Sequence, residues 1–195
     1  MRISKKQKEK IVPILKSGGI GVIATDTIYG LVGSALNPKT VERIYRLRQR
    51  DKNKPFIILI GSLKDLTMFG IKLSFGWKRI LKKLWPGKVS IIFPCAQNKF
   101  RYLHRGGKTL SFRLPADRGL RNLLIAAGPL VAPSANPQGL RPAASIKEAK
   151  KYFGGKVDFY NNSGCLVGRP STLIEIKNNK VSVLRPGAVK IPKNI

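Results

Sequence analysis

The sequence predicts one α/β domain built on a twisted mixed β-sheet. Three observations lead there. Helical and strand-like patterns alternate early in the chain and strands dominate late. The 195 residues suffice for one domain with a sizeable core. No repeat, low-complexity tract or long linker divides them, so residues 1–195 are read as a single domain.

The elements follow in order. Residues 4–17 carry Ile11, Ile14 and Leu15 at helical spacing and stop at Gly18-Gly19, with Pro13 counting against the middle of that helix. GVIATDT (21–27) is a strand running into a loop. PKTVERIYRLR (38–48) opens on proline and puts Val41, Ile44, Tyr45 and Leu47 on a helical face. PFIILIG (55–61) is a continuous apolar run, as expected of a strand buried on both faces. SLKDLTMFG (62–70) and SFGWKRILKKLW (74–85) read as helices, the second ended by Pro86-Gly87. VSIIFPC (89–95) and TLSFRLP (109–115) are strands, and the polar stretch 95–109 between them reads as the most mobile loop. DRGLRNLLIAAG (117–128) has an aspartate N-cap and a terminal glycine. PLVAPSAN (129–136) is a short strand leaving into a polar loop, and IKEAKKYFGG (146–155) is a helix. VDFYNN, STLIEIKNN and KVSVLRPG are short β runs, with a hairpin turn at Lys177-Asn178-Asn179-Lys180.

Composition narrows the chemistry. At 43% hydrophobic and 24% charged the chain is globular. No apolar run approaches the roughly 18 residues that span a bilayer, and the basic N-terminus lacks a secretory apolar region, so no membrane partner is expected. Cys95 and Cys165 are far apart, with no CxxC, so neither a disulfide framework nor a zinc site is expected, and a reducing cytoplasm is the default. His104 is the only histidine, and the nine acids are Glu9, Asp26, Glu42, Asp51, Asp65, Asp117, Glu148, Asp158 and Glu175. Paired-carboxylate chemistry and a histidine-dependent triad are therefore disfavoured. With 38 Lys and Arg the net charge is +29, which favours anionic partners. That charge is either a general habit of composition or a means of binding nucleic acid. Catalysis, if present, should rest on cations and dipoles placed around an anionic substrate.

Several polar stretches sit just past strand ends, where open α/β sheets bind ligands. TDTIYGL (25–31) is either a capped turn with a core tyrosine or a ligand loop. RLRQRDKNKP (46–55) puts five cations into ten residues, as a solvated helix end or as a phosphate clamp. In SFRLP (111–115), Ser111 and Arg113 share the strand face opposite Phe112 and Leu114, which suits a polar cavity or a solvated edge. Ser134 and Asn136 in APSANPQG (132–139) bond either their own backbone or a nucleotide. PSTLIE (170–175) offers Ser171 and Thr172, and RPGA (185–188) offers Arg185. Neither a Walker GxxxxGK[ST] nor a GxGxxG motif is present, so a nucleotide would be held in another way.

Taken together, DTIYGL, an R-x-R before Lys54-Pro55, SFRLP, PSAN, STLIE and RPGA run in this order from about Gly18 to Ala188. This series closely resembles the YrdC-like (TsaC) threonylcarbamoyl-AMP synthases in their short, single-domain form. The resemblance implies a YrdC-like fold, an open mixed sheet flanked by helices around a concave basic cavity. It implies an enzyme, a nucleotidyltransferase that condenses L-threonine, bicarbonate or CO2 and ATP, with Mg²⁺ on the ATP, to threonylcarbamoyl-AMP and pyrophosphate. A partner transferase would then pass the threonylcarbamoyl group to adenosine 37 of tRNA. By position, the family's K-x-R falls on Arg48 and Arg50, implied to be catalytic, with Arg48 where lysine is usual. ATP would be bound by Arg48, Arg50, Arg113, Ser134, Asn136 and Arg185. Threonine would be bordered by Thr27, Tyr29, Lys54, Ser111 and Ser171. The alternatives are a non-catalytic module that binds tRNA or double-stranded RNA, and a family paralogue acting on another substrate.

Overall fold

The structure, a computed structural model, describes residues 3–177 and 180–192. Helix α1 (Lys5–Lys16) is fixed at its start by a reciprocal cap. Ser4 Oγ accepts from the Gln7 amide and the Ser4 amide donates to Gln7 Oε1. Pro13 is tolerated because it lies on the exposed side, leaving Ile11 and Leu15 to bury. Strand β1 (Ile20–Ala24) pairs antiparallel with β2 (Tyr29–Ser34). Helix α2 (Pro38–Arg48) starts with Pro38 behind the Asn37 cap and ends at Gln49 in the left-handed region, φ 49°. Strand β3 is Ile57–Leu59, α3 is Phe75–Leu84 and β4 is Val89–Pro94. Then come α4 (Arg101–His104), β5 (Thr109–Arg113), α5 (Arg118–Ala127) and β6 (Leu130–Val131). The chain continues through α6 (Ile146–Phe153), β7 (Phe159–Tyr160), β8 (Thr172–Lys177) and β9 (Lys180–Arg185).

The nine strands form one mixed sheet in the order β7-β1-β2-β6-β3-β5-β4-β8-β9. Side-chain alternation divides the core between its two faces. Ile23, Val32, Leu59 and Leu130 pack against Ile11, Leu15, Leu120, Leu123 and Leu124 of α1 and α5. Their neighbours Val22, Leu31, Ile58 and Val131 join the larger core with Val41, Ile44 and Tyr45 of α2. On that larger side Phe112 of β5 meets Phe69 and Phe93, and Phe93 meets Trp77 of α3.

Several expectations need correction. β2 was not expected as a strand; it forms because it is paired on both sides, by β1 and β6. The helix expected at 62–70 is present as a 3-10 helix over 63–69, closed by Gly70 at φ 71°. The stretch 95–109 is not irregular throughout: it holds a 3-10 turn and α4, because Phe100, Leu103 and His104 are buried there. The hairpin turn expected at 177–180 lies partly outside the described residues, although Lys177 and Lys180 are paired. Cys95 and Cys165 are both free thiols. Among the described residues no helix is long and apolar enough to cross a membrane.

Candidate functional site

On β5 the alternation that sends Phe112 into the larger core turns Ser111 and Arg113 to the opposite face. Ile57 and Leu59 of β3 and Leu173 of β8 line the same space. Leu59 also packs on the α1/α5 layer, so the space lies beside that layer on the same side of the sheet. It is an open cavity of about 160 Å³ whose rim comes from the β1–β2 turn, the end of α2, the residues after β6, and the segments around Ser171 and Arg185.

Arg48 and Arg50 both line it. Two residues apart on a continuing helix they would point about 200° apart. The left-handed Gln49 breaks the helix and lets both reach the cavity. Arg48, 3% exposed, spends most of its fork on the protein. Its Nε donates to the Asn136 carbonyl at 2.8 Å, and one terminal nitrogen donates to Ser134 Oγ at 3.2 Å and Asn136 Oδ1 at 3.3 Å. Burial, and then the charge of Arg50, lower its pKa to about 10. Arg50 donates from Nε to the Lys54 carbonyl at 3.0 Å and lies over the Phe56 ring. Burial also lowers its pKa, against the opposing pull of Tyr45 and Asp51.

Arg113 is held from below. Its Nη1 donates to Thr27 Oγ1 at 3.0 Å and its Nη2 pairs with Asp26 Oδ1 at 3.1 Å. Desolvation lowers its pKa, Asp26 opposes that shift and Arg185 adds to it. Thr25 Oγ1 donates to the Ile28 carbonyl, so its single proton is used and Thr27 must donate across their 2.9 Å contact. The Thr25–Asp26–Thr27 turn is thus wired to the floor of the cavity. Tyr29 lines the cavity but its hydroxyl works elsewhere, donating to the Gly164 carbonyl and accepting from the Ser163 amide. Ser171 Oγ lies 2.8 Å from Ser90 Oγ, both buried. Ser111 Oγ has no partner among the described residues.

Arg185 sits on the rim, exposed, with one terminal nitrogen donating to the Ser171 carbonyl at 2.8 Å. The Pro-Gly step that follows fixes it. The Ala188 amide donates to the Pro170 carbonyl at 2.8 Å, and a Cβ on Gly187 would collide with the backbone of Pro170, Ser171 and Thr172. Desolvation and then Arg50 lower the pKa of Arg185.

The cavity therefore gathers Thr27, Tyr29, Arg48, Arg50, Ser111, Arg113, Ser134, Ser171 and Arg185 from the expected set. Two members stand outside its lining. Lys54 is exposed and pairs with Asp51; only its backbone serves the site, accepting from Arg50 and from Tyr45. Asn136 is buried behind Arg48 and donates to the Pro137 and Leu140 carbonyls, so its polar atoms are used within the protein. Asp26 and Phe56 were not singled out in advance. Asp26 carries the one acid in its motif, and Phe56 follows the Lys54-Pro55 pair; only the fold shows what each supports. Among the described residues no carboxylate or histidine lines the cavity. Among the described residues no cluster of three or more His, Cys, Asp or Glu could hold a metal.

A family profile, Sua5/YciO/YrdC, described as "Telomere recombination", matches residues 13–187. The threonylcarbamoyl-AMP synthase of Pyrococcus abyssi is 28% identical over 179 residues, covering 91% of this chain and 53% of the relative. The chain thus spans about half the length of that relative. The crystal structure of P. abyssi Sua5 complexed with L-threonine superposes with a TM-score of 0.87 at 28% identity, over 96% of this chain and 56% of the other. Escherichia coli YciO superposes with a TM-score of 0.86 at 24% identity, over 98% and 94% of the two chains, which shows a shared fold. With the profile spanning nearly all of the sheet and every wall of the cavity, the chain belongs to the Sua5/YciO/YrdC family.

Proposed function

We propose that the protein is an L-threonylcarbamoyladenylate synthase, condensing L-threonine, bicarbonate or CO2 and ATP to threonylcarbamoyl-AMP and pyrophosphate for tRNA modification. One observation carries the reading. Four arginines and the hydroxyls of Thr27, Ser111, Ser134 and Ser171 line one cavity in a fold shared with a relative complexed with L-threonine.

The threonine amine attacks CO2, forming an N–C bond, and loses a proton to solvent to give the carbamate. A carbamate oxygen then attacks the α-phosphorus of ATP, and the bond to the bridging oxygen breaks with release of pyrophosphate. Negative charge gathers on the phosphates throughout, so guanidinium forks held in place lower the barrier by position and field. Arg50 and Arg185 line the cavity and keep terminal nitrogens with no protein hydrogen bond among the described residues, so they are assigned to the phosphates. Arg48 and Arg113 supply charge from the wall, and Ser134 is assigned to the nucleotide. Thr27, Tyr29, Ser111 and Ser171 border the threonine. Asn136 acts behind Arg48, and Lys54 acts through its backbone. ATP would carry Mg²⁺ to offset phosphate charge; among the described residues no carboxylate lines the cavity to hold it. The product goes to a transferase partner.

The test is pyrophosphate release by the purified protein with MgATP, omitting threonine and bicarbonate in turn. Release that needs both supports the assignment. ATP binding without release overturns it in favour of a paralogue, and release independent of threonine points to another substrate.

A further inference from the structure

Behind Arg50 lies a column of flat groups that no step of the reaction uses. The Arg105 guanidinium sits over the Tyr45 ring at 4.0 Å, Tyr45 stacks on Phe56 at 4.0 Å with an interplanar angle of 26°, and Arg50 lies over the other end at 5.4 Å from the Phe56 centroid. Two cations thus cap an aromatic pair. The inner members are buried: Tyr45 is 2% exposed and Phe56 4%.

The outer cation is costly where it stands. Arg105 adopts a left-handed backbone, φ 51°, without being glycine. Its Nε and one terminal nitrogen are buried with no hydrogen-bond partner, and only the other terminal nitrogen is paired, with Glu42 at 2.6 Å. A buried donor without a partner is unfavourable, so the ring face of Tyr45 is what these groups have in exchange. At the other end the Tyr45 hydroxyl and Arg50 Nε donate to the same Lys54 carbonyl, at 3.1 Å and 3.0 Å. The column and this shared acceptor fix the Arg50 side chain on two sides.

We propose that Arg105 and Tyr45 are positioning residues, which act through Phe56 to hold the Arg50 guanidinium at the cavity wall as an anion donor. The assignment rests on reading the cavity as a phosphate site. A long side chain at a rim ordinarily loses rotamer freedom when it grips a ligand. The column removes that loss in advance, because Arg50 is already stacked and bonded before an anion arrives.

The test is binding of inorganic tripolyphosphate to the full chain by calorimetry at low salt, which needs neither adenine nor threonine. Tyr45→Leu removes the column and is expected to weaken binding roughly three- to tenfold. Tyr45→Phe keeps the ring and is expected to stay within about twofold of wild type. The deciding comparison is a double-mutant cycle: in an Arg50→Ala background, Tyr45→Leu should change affinity no further. If Tyr45→Leu does not fold, Arg105→Gln takes its place in the cycle, with an expected loss of about two- to threefold. A purely structural role would lower the melting temperature and leave tripolyphosphate affinity intact. That result, additive losses in the cycle, or no tripolyphosphate binding by the wild type would overturn the proposal. Column-dependent binding by a protein that releases no pyrophosphate would instead keep the proposal and remove the synthase reading.

Discussion

Asp26→Asn tests the wiring under the cavity most directly. The Asp26 and Arg113 side chains are 8% and 4% exposed and meet at 3.1 Å. The substitution keeps the shape, and its oxygen can still accept from the Ala116 amide as Asp26 does at 3.1 Å. It then turns an NH2 group toward a guanidinium, donor against donor, and strips the only carboxylate from a buried cation. Removing one partner of a buried pair costs about 3–5 kcal/mol. Arg113 keeps its bond to Thr27 at 3.0 Å, which sets the loss near the lower end, about 3 kcal/mol. For 195 residues this is a fall in melting temperature of about 6–12 °C, read by circular dichroism. Replacing both partners by apolar residues should behave differently. Asp26→Leu with Arg113→Met leaves no stranded charge and should recover most of the stability while losing pyrophosphate release. Asp26→Asn within about 1 kcal/mol of wild type, or a double variant no more stable than the single, would refute the account of this pair as a buried, mutually dependent unit.

Three further outcomes follow from the same geometry. Arg48→Lys replaces a fork that holds Ser134 and both oxygens of Asn136 by a point charge, so urea unfolding should show a loss of about 1–2 kcal/mol with threonine-dependent turnover retained. Asp158 feels burial pushing its pKa up, but its bonds to Arg43 and the Ile20 amide outweigh that and hold it low. Its stabilising contribution is therefore present above the unfolded carboxylate range and lost as pH falls through the lower folded value; Asp158→Asn should flatten the acid limb of a stability profile below about pH 4. Arg185→Gln keeps a donor for the Ser171 carbonyl and removes a charge that Arg50 repels; the unliganded protein should melt no lower than wild type while ATP affinity by calorimetry falls about tenfold or more.

The parts of the fold legible in the sequence are those whose local signals agree. Helix α2 has a cap, a proline at its first residue and an apolar face, and the expected and observed ranges coincide. Ser111 and Arg113 could be placed on one strand face from alternation alone, because a two-residue period leaves no choice. β2 was not legible, since two glycines interrupt the strand-forming residues of YGLVGS. Those glycines answer to tertiary demands: a Cβ on Gly33 would strike Thr40 of α2. The ordered series of motifs pointed to segments that line one cavity, but side-chain direction was beyond it. Lys54 and Asn136 lie in those segments and send their polar side-chain atoms elsewhere. Tyr45 and Arg105 lie sixty positions apart and meet only because α2 and α4 pack together.

The cavity concentrates like charge where a stable apo protein gains least from it. Each of its four arginines has a lowered pKa, with desolvation as the first cause in every case, and Arg50 presses on Arg48 and Arg185 in turn. Among the described residues only Arg113 has a carboxylate in contact. The others are held by neutral acceptors, the carbonyls of Asn136, Lys54 and Ser171, together with side-chain oxygens of Ser134 and Asn136. Neutral acceptors orient a guanidinium without cancelling its charge, whereas a carboxylate would do both. On the proposed reading, that charge is left for the substrate phosphates to compensate. A surface made basic only for solubility would not bury Arg48 to 3% exposure or spend three hydrogen bonds on its direction. The cavity's charge is thus aimed, in a way that the chain's net charge of +29 alone does not require.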